Sequence, residues 1–571
     1  MQSRAIAGGS GVDGELERGM RRYAAAMRTG ALLGALIGLV LGLLRGSLAW
    51  PWLSLTYAMR PAAVGWLVGV LLSILLAWAR SRRGPSAQEA AAVHPRRLLG
   101  AALGVLAVAP AGLWLAAALH RGPLAARGPA DGRPNIVFIT IDALRTDHLG
   151  CYGSDRGLTP NLDAFAQEAT RYDAAYVPSP WTLTSFASIF SQATPSECGL
   201  KALGAELHDW YVDSATLPET IPFLPEQLQG GGYTTAAELT NYFLAAERGW
   251  GRGFDHFRNE SDPELKDFRT RAETVTRNAL SWLRLNRPQP FFLWVHYLDP
   301  HVPYDSPDTP AELKERYRQA WPTQRQFWYD TARGFPEGTK ARYREYCRAL
   351  YAEEVRYADR WTGKFLEGLK RAVDFDNCLV VIASDHGEEL FDHEEFEHGH
   401  ALYEEVLQVP LLIKWPAGLQ ADKQVSQNIG LTGLARTFLD AAEVPPAEGQ
   451  QAVALPRREG GADVEIYSEG LLWGIERTSL ITGDYKVIYH PFRKARQQRF
   501  EVYDRRRDRA EQYDLSHTEE AAEVRERLVK LTEAAEAAAR RWQASGQHDP
   551  GRLDLSQEGR RQLEALGYVG E

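Results

Sequence analysis

The chain has 571 residues, 44% of them apolar and 24% charged, which is enough apolar material for an enzyme-sized core and excludes a disordered or fibrous protein. Its charge is unevenly spread: residues 1–133 hold 15 Lys and Arg against 5 Asp and Glu, whereas the remainder holds 50 against 69, a net of −19. A body of that sign repels a phosphate backbone, so a nucleic-acid partner is excluded.

Residues 1–28 form a short arm that carries Arg18, Arg21, Arg22 and Arg28. Residues 29–120 then alternate apolar runs with basic loops. A bilayer core takes about 20 apolar residues, and Pro61–Ala79 and Leu98–Leu119 reach that length, while Thr29–Leu53 is interrupted by Arg45. We read three transmembrane helices. Arg80, Arg82, Arg83, Arg96 and Arg97 follow the second run. Cation-rich short loops stay in the cytoplasm, so the arm is cytoplasmic and the third helix runs outward. That orientation holds even without the first span. It makes the protein a multi-pass protein of the inner (cytoplasmic) membrane, with everything after about residue 120 on the periplasmic or extracellular side. No cleavable leader is expected, because a basic start, one apolar stretch and a small-residue cleavage site near residue 25 do not occur together. Cys151, Cys198, Cys347 and Cys378 all lie in the exported part, where disulfides are permitted. Spacing leaves their pairing open, and the lack of CxxC argues against a zinc knuckle or a thioredoxin-type motif.

Residues 121–134 read as a Gly/Pro/Ala linker into a domain spanning 135–455. Strand-like apolar runs occur at Asn135–Asp142, Phe291–Leu298, Cys378–Ser384 and Val409–Trp415, spaced widely enough for helices. This alternation predicts an α/β domain with a mainly parallel sheet flanked by helices. Ligands of such sheets sit beyond the carboxyl ends of strands. Asp142, Asp299 and Asp385 each close a run, so the three acids are expected to converge on one edge. Residues 456–571 form a small C-terminal α+β subdomain: the pieces EIYSEG, TSLITGDYKVIYH and FEVYD, then an Ala/Glu/Arg-rich helix over Glu519–Ala544.

An Asp-His pair alone is commonest as a surface turn. Ser384-Asp385-His386-Gly387, however, follows an apolar strand, and Asp142 closes its neighbour. Two carboxylates and an imidazole suit one divalent ion, Mn²⁺ or Zn²⁺ before Ca²⁺. The block PSPWTLTSFASIFSQ, Pro178–Gln192, puts hydroxyls at the start of a predicted helix. There they meet the positive end of the dipole, which favours an alkoxide and an anionic ester alike; without the metal ligands these residues would read as an ordinary cap.

The motifs NIVFITIDALRTDHLGCYG, TPNLDAF, PWTLTSFASIF, FFLWVHYLDPHVPY, ASDHGEELFDH, LYEEVLQVPLLI, GDYKVIY with FEVYD, and the ending LEALGYVG together carry a resemblance. Residues 134–571 resemble a sulfatase-like member of the alkaline phosphatase superfamily, anchored here by the N-terminal helices. The resemblance implies that superfamily's α/β fold. Sulfatases proper carry Cys-x-Pro-x-Arg, whose Cys becomes formylglycine; Thr182 stands at the Cys position and Phe186 at the Arg position. Ala143 replaces the second acid of an Asp-Asp pair that helps cage calcium, and His398 aligns with the active-site lysine. The pattern is more similar to the threonine-nucleophile branch, which includes phosphodiesterases and membrane-anchored phosphoethanolamine and phosphoglycerol transferases. That likeness implies Asp142, Thr182, Asp385 and His386 as metal ligands, Thr182 as nucleophile, and His301 as contact or proton donor to the transferred group. His398 and His400 share that role, or one of them joins Asp299 and His301 around a second metal.

The expected function is hydrolysis or transfer of phosphoesters or phosphodiesters through Thr182, on envelope lipid or glycan substrates at the bilayer. The alternatives are a sulfuric ester hydrolase that works without formylglycine, for which the lost Arg matters less because a sulfate monoester carries one charge fewer than a phosphate dianion, and an inactive envelope scaffold. The sequence leaves the oligomeric state undetermined.

Overall fold

The computed structural model describes residues 132–198, 200, 216–259, 271–286, 290–318, 338–460, 464–470, 477–490, 500–519 and 521–544. The cytoplasmic arm, the three spans expected within 29–120 and the LEALGYVG ending lie outside the described residues. Among the described residues, no helix is long and apolar enough to cross a membrane.

The β-branched and aromatic run NIVFITI forms β1, Asn135–Ile141, with every residue buried. Such a strand offers no polar face to water and needs cover on both sides. It lies inside an eight-stranded sheet with β2 (Thr170–Tyr172), β3 (Thr234–Leu239), β4 (His256–Asn259), β5 (Phe291–Tyr297), β6 (Cys378–Ala383), β7 (Leu411–Lys414) and β8 (Gln424–Val425), in the order β8-β2-β7-β6-β1-β5-β3-β4. From β6 to β4 the strands run parallel. β7 is antiparallel to both β6 and β2, so the sheet is mixed, and the Val409–Trp415 run departs from the expected parallel series. The chain re-enters the sheet at the carboxyl end of β6, where Leu411 pairs with Ala383, and a strand that starts at that end can only run back.

Among the described residues, the helices packed on this sheet include α1 (Pro160–Ala166), α2 (Thr182–Ser191), α3 (Leu224–Gly230), α4 (Ala272–Asn286), α5 (Thr339–Ala372) and α6 (Gly433–Ala441). Strand periodicity of two divides the core between them. Ile136 and Phe138 pack with α2, α3 and α6, while Val137, Ile139 and Ile141 pack with α1, α4 and α5.

Beyond residue 460, β9 (Ile466–Gly470), β10 (Arg477–Thr482), β11 (Tyr485–Tyr489) and β12 (Phe500–Asp504) form a four-stranded antiparallel sheet. Ile481, Ile488 and Tyr503 point into the α2-side core, while Leu480, Val487 and Val502 pack against Ala521 and Leu528, where α7 (Ala522–Ala544) covers the other face. All four cysteines are free.

Candidate active site

Parallel register brings the two leading acids level. Thr140 of β1 pairs with Ala383 of β6, so Asp142 and Asp385 each sit two residues past the paired position. The Ser384 hydroxyl accepts the Leu144 N–H at 2.9 Å and lies 2.6 Å from the carbonyls of Ile141 and His386, tying the two strand ends together. Gly387 makes the next turn; a Cβ there would stand 1.9 Å from the Glu405 carbonyl oxygen.

Thr182 opens α2 after the extended Trp181. Its Oγ1 lies 3.1 Å from His386 Nε2, which is 3.5 Å from both Asp142 Oδ1 and Asp385 Oδ2. All four residues are fully buried, and donor atoms of Asp142, Asp385 and His386 lie within 4.8 Å of one another. Burial pushes Asp385 up to about 6, with the Asp142 charge adding to it. Burial likewise raises Asp142, although His301 and His386 draw it back. For His386, burial opposes the proton, but Asp385 and Asp142 outweigh it and its pKa rises. Asp142 Oδ1 and both Asp385 oxygens are buried without a hydrogen-bond partner. Buried carboxylate oxygens in that state are costly, and a cation bound by them would remove the cost. A divalent ion therefore fits these residues.

Two further imidazoles complete the group. The His398 ring stacks on His386 at 4.2 Å between centroids and meets His301 at 4.8 Å. Burial lowers His301 to about 4 despite the Asp142 charge, and burial with the neighbouring His386 and His400 holds His398 well below the ordinary imidazole range. His398 Nδ1 contacts Glu388 Oε1 at 2.9 Å, and the Tyr304 hydroxyl donates to Glu388 Oε2 at 3.2 Å.

Two expected residues go elsewhere. Asp299 does not converge with the other acids: its Oδ1 binds Arg271 at 3.1 Å and its Oδ2 accepts the Ala272 N–H at 2.9 Å, capping α4. Both oxygens thus have partners, and among the described residues Asp299 and His301 do not belong to a group of donor atoms close enough to share an ion. His400 turns to Glu395, 3.0 Å away, and Glu389, 3.8 Å away.

Three site residues escape the sequence reading: Glu388, Asn241 and His296. Asn241 donates to Asp142 Oδ2 at 3.2 Å. His296 Nε2 is buried 3.3 Å from that same oxygen, with Nδ1 2.9 Å from Thr140 Oγ1. A signal for His296 existed: it alternates with Phe292 and Trp294 on the apolar face toward α2, where a lone imidazole has no packing reason to be. At the positions where formylglycine sulfatases differ, Phe186 packs edge-on against His296 with centroids 5.1 Å apart. Ala143 has a left-handed φ of 55° and receives the Tyr351 hydroxyl on its carbonyl.

A family model described as Sulfatase matches residues 134–444, and one described as N-sulphoglucosamine sulphohydrolase, C-terminal, matches residues 392–537. The uncharacterized sulfatase YidJ of Escherichia coli (strain K12) is 25% identical over 450 residues, covering 69% of this chain and 86% of that protein. The N-acetylglucosamine-6-O-sulfatase of Bacteroides thetaiotaomicron is 25% identical over 501 residues, covering 70% and 86%. The solved phosphonate monoester hydrolase of Agrobacterium radiobacter shares the fold with a TM-score of 0.54 at 16% identity, covering 71% of this chain and 96% of that one. With the sulfatase model matched over more than half its length, on a mixed α/β sheet that gathers Asp142, Asp385 and His386 beside Thr182, this chain belongs to the sulfatase family of hydrolases.

Proposed function

We propose that the chain hydrolyses a monoanionic ester, a sulfuric monoester on a sugar, using Thr182 itself in place of formylglycine. The observation that carries this reading is the charge make-up of the site. Where formylglycine sulfatases hold Arg and Lys, this chain has Phe186 and His398, and the groups acting most strongly on Asp142, Asp385 and His386 are carboxylates, imidazoles and an amide. A dianionic phosphomonoester would enter a field short of two cations; a monoanion asks for less. The relatives with assigned substrates support the sulfuric ester ahead of the phosphoester first expected. A phosphodiester is the second reading, favoured by the unmodified hydroxyl at Thr182, which suits phosphorus as well as sulfur.

A divalent ion held by Asp142, Asp385, His386 and Thr182, with Mn²⁺ or Zn²⁺ preferred over Ca²⁺ because Ala143 removes an oxygen ligand, would lower the Thr182 pKa and neutralise charge on the transferred group. Thr182 Oγ1 bonds to sulfur as the bond from sulfur to the ester oxygen breaks. The proton leaving Thr182 reaches the departing oxygen through His398 and His301. Water then attacks the sulfur of the Thr182 ester, and its proton returns to Thr182 by the same imidazoles.

Turnover of matched nitrophenyl sulfate, bis-nitrophenyl phosphate and nitrophenyl phosphate by the metal-loaded chain, with Thr182→Ala as control, tests this. Sulfate hydrolysis lost in the variant is expected. Diester hydrolysis alone would select the second reading, and a preference for the phosphomonoester would overturn the charge argument. On the sequence alone we also place this site outside the cytoplasmic membrane, within reach of lipid-linked and envelope glycans. Protease added to intact spheroplasts should digest the 134–571 part, and its full protection would refute that placement.

A further inference from the structure

We propose a second divalent-cation site, formed by Glu389, Glu395 and His400 and distinct from the Thr182 centre. It does not depend on which ester is cleaved.

Glu389 is fully buried. Its Oε1 receives the N–H groups of His393 at 3.0 Å and Glu395 at 2.9 Å, but its Oε2 is buried with no hydrogen-bond partner. That oxygen faces His400 Nε2 at 3.8 Å, and Glu395 Oε2 stands 3.0 Å from the same nitrogen. The opposite nitrogen, His400 Nδ1, lies 3.1 Å from the His398 carbonyl. A carbonyl only accepts, so Nδ1 carries a proton; Nε2 donates to Glu395 until a cation displaces its proton, which leaves a neutral ring with the Nε2 lone pair toward both carboxylates. This is the tautomer in which histidine binds metal, with a backbone carbonyl orienting the ring. The three donor atoms lie within 4.8 Å of one another. A tetrahedral ion with bonds of 2.0–2.2 Å keeps its ligands roughly 3.4 Å apart, and 3.0 and 3.8 Å fall on either side of that value.

Glu389 also neighbours His393 and Glu405. His393 is arranged alike, with Nδ1 2.7 Å from Glu405 and Nε2 3.2 Å from the Glu511 carbonyl, but the unpartnered Glu389 Oε2 faces His400 at 3.8 Å, which makes His400 the ligand. Arg477 also bears on the cluster, lowering the pKa of Glu395 and working against the proton on His400. It offsets one of the two carboxylates and leaves the cluster attractive to a divalent ion. A bound ion would hold His400, and through it the backbone of His398, fixed against the Thr182 centre.

Zn²⁺ alone is the probe: the full chain is dialysed at micromolar Zn²⁺, and bound metal is counted by elemental analysis. The wild type should hold two ions, Glu395→Gln one, Asp385→Asn one and the double variant none. The Glu395 side chain is 47% exposed, so this substitution leaves folding intact, and Glu389→Gln, which keeps the Oε1 acceptor, provides a second test. In the Asp385→Asn background, Zn²⁺ should raise the melting temperature, and Glu395→Gln should abolish that rise. Equal metal content in the wild type and Glu395→Gln, or no metal in Asp385→Asn of native circular dichroism, would overturn the site.

Discussion

A carboxylate hydrogen-bonded to one histidine nitrogen fixes the tautomer and stabilises the imidazolium when it forms. Glu388 does this for His398 across 2.9 Å, while Tyr304 holds the other carboxylate oxygen. Burial pushes Glu388 up to about 7, so Glu388→Gln keeps the shape and removes a charge present above that pH; there kcat should fall roughly 10- to 100-fold with KM nearly unchanged, and a drop confined to thermal stability would assign Glu388 a structural role only. The sequence shows Asp142, Asp385, His386 and Thr182 because each stands at a strand end or helix start that apolar patterning marks. It hides Glu388 because four of the twelve residues of Glu388–Gly399 are Glu besides it, and only three-dimensional packing selects one. Asp299 misleads for the converse reason: a strand-end acid can cap the following helix as readily as face a ligand, and Arg271 decides which.

At the scale of elements, the C-terminal sheet is fastened to the segment that follows His398 through Glu501 of β12. Glu501 accepts hydrogen bonds from Tyr403 at 2.8 Å and Tyr503 at 2.9 Å and pairs with His490 at 2.8 Å. Burial alone would raise its pKa, but those partners hold it at about 2, below the ordinary 4.5. A depressed carboxylate stabilises the fold fully above its unfolded pKa, and the stabilisation disappears as pH falls from 4.5 toward 2. The shift corresponds to about 3 kcal/mol. Glu501→Gln should therefore lower the urea midpoint at pH 7 and make little difference near pH 2.5; an equal loss at both would contradict the coupling. Four strands of the large sheet, β1, β5, β6 and β7, were legible as apolar runs, whereas the short or more polar β2, β3, β4 and β8 were not. The reversal of β7 was not, because a short apolar run reads alike in either direction and only the short path back from β6 fixes its sense.

On the scale of the whole molecule, charge separates an acidic body, net −19, from the basic N-terminal 133 residues. The body gathers acids and imidazoles around one hydroxyl, and a metal ion held by Asp142, Asp385 and His386 would supply the neutralising charge. Thr182 cannot become formylglycine, and in the proposed mechanism each turnover passes through an ester on the Thr182 oxygen. High-resolution mass spectrometry of the acid-quenched, metal-loaded enzyme during turnover of a nitrophenyl sulfate tests this most directly. The account predicts a sulfate adduct on the peptide that contains Thr182, absent after chelation and absent in Thr182→Ala, which also loses turnover. Full turnover by Thr182→Ala, or an adduct on another residue, would contradict it.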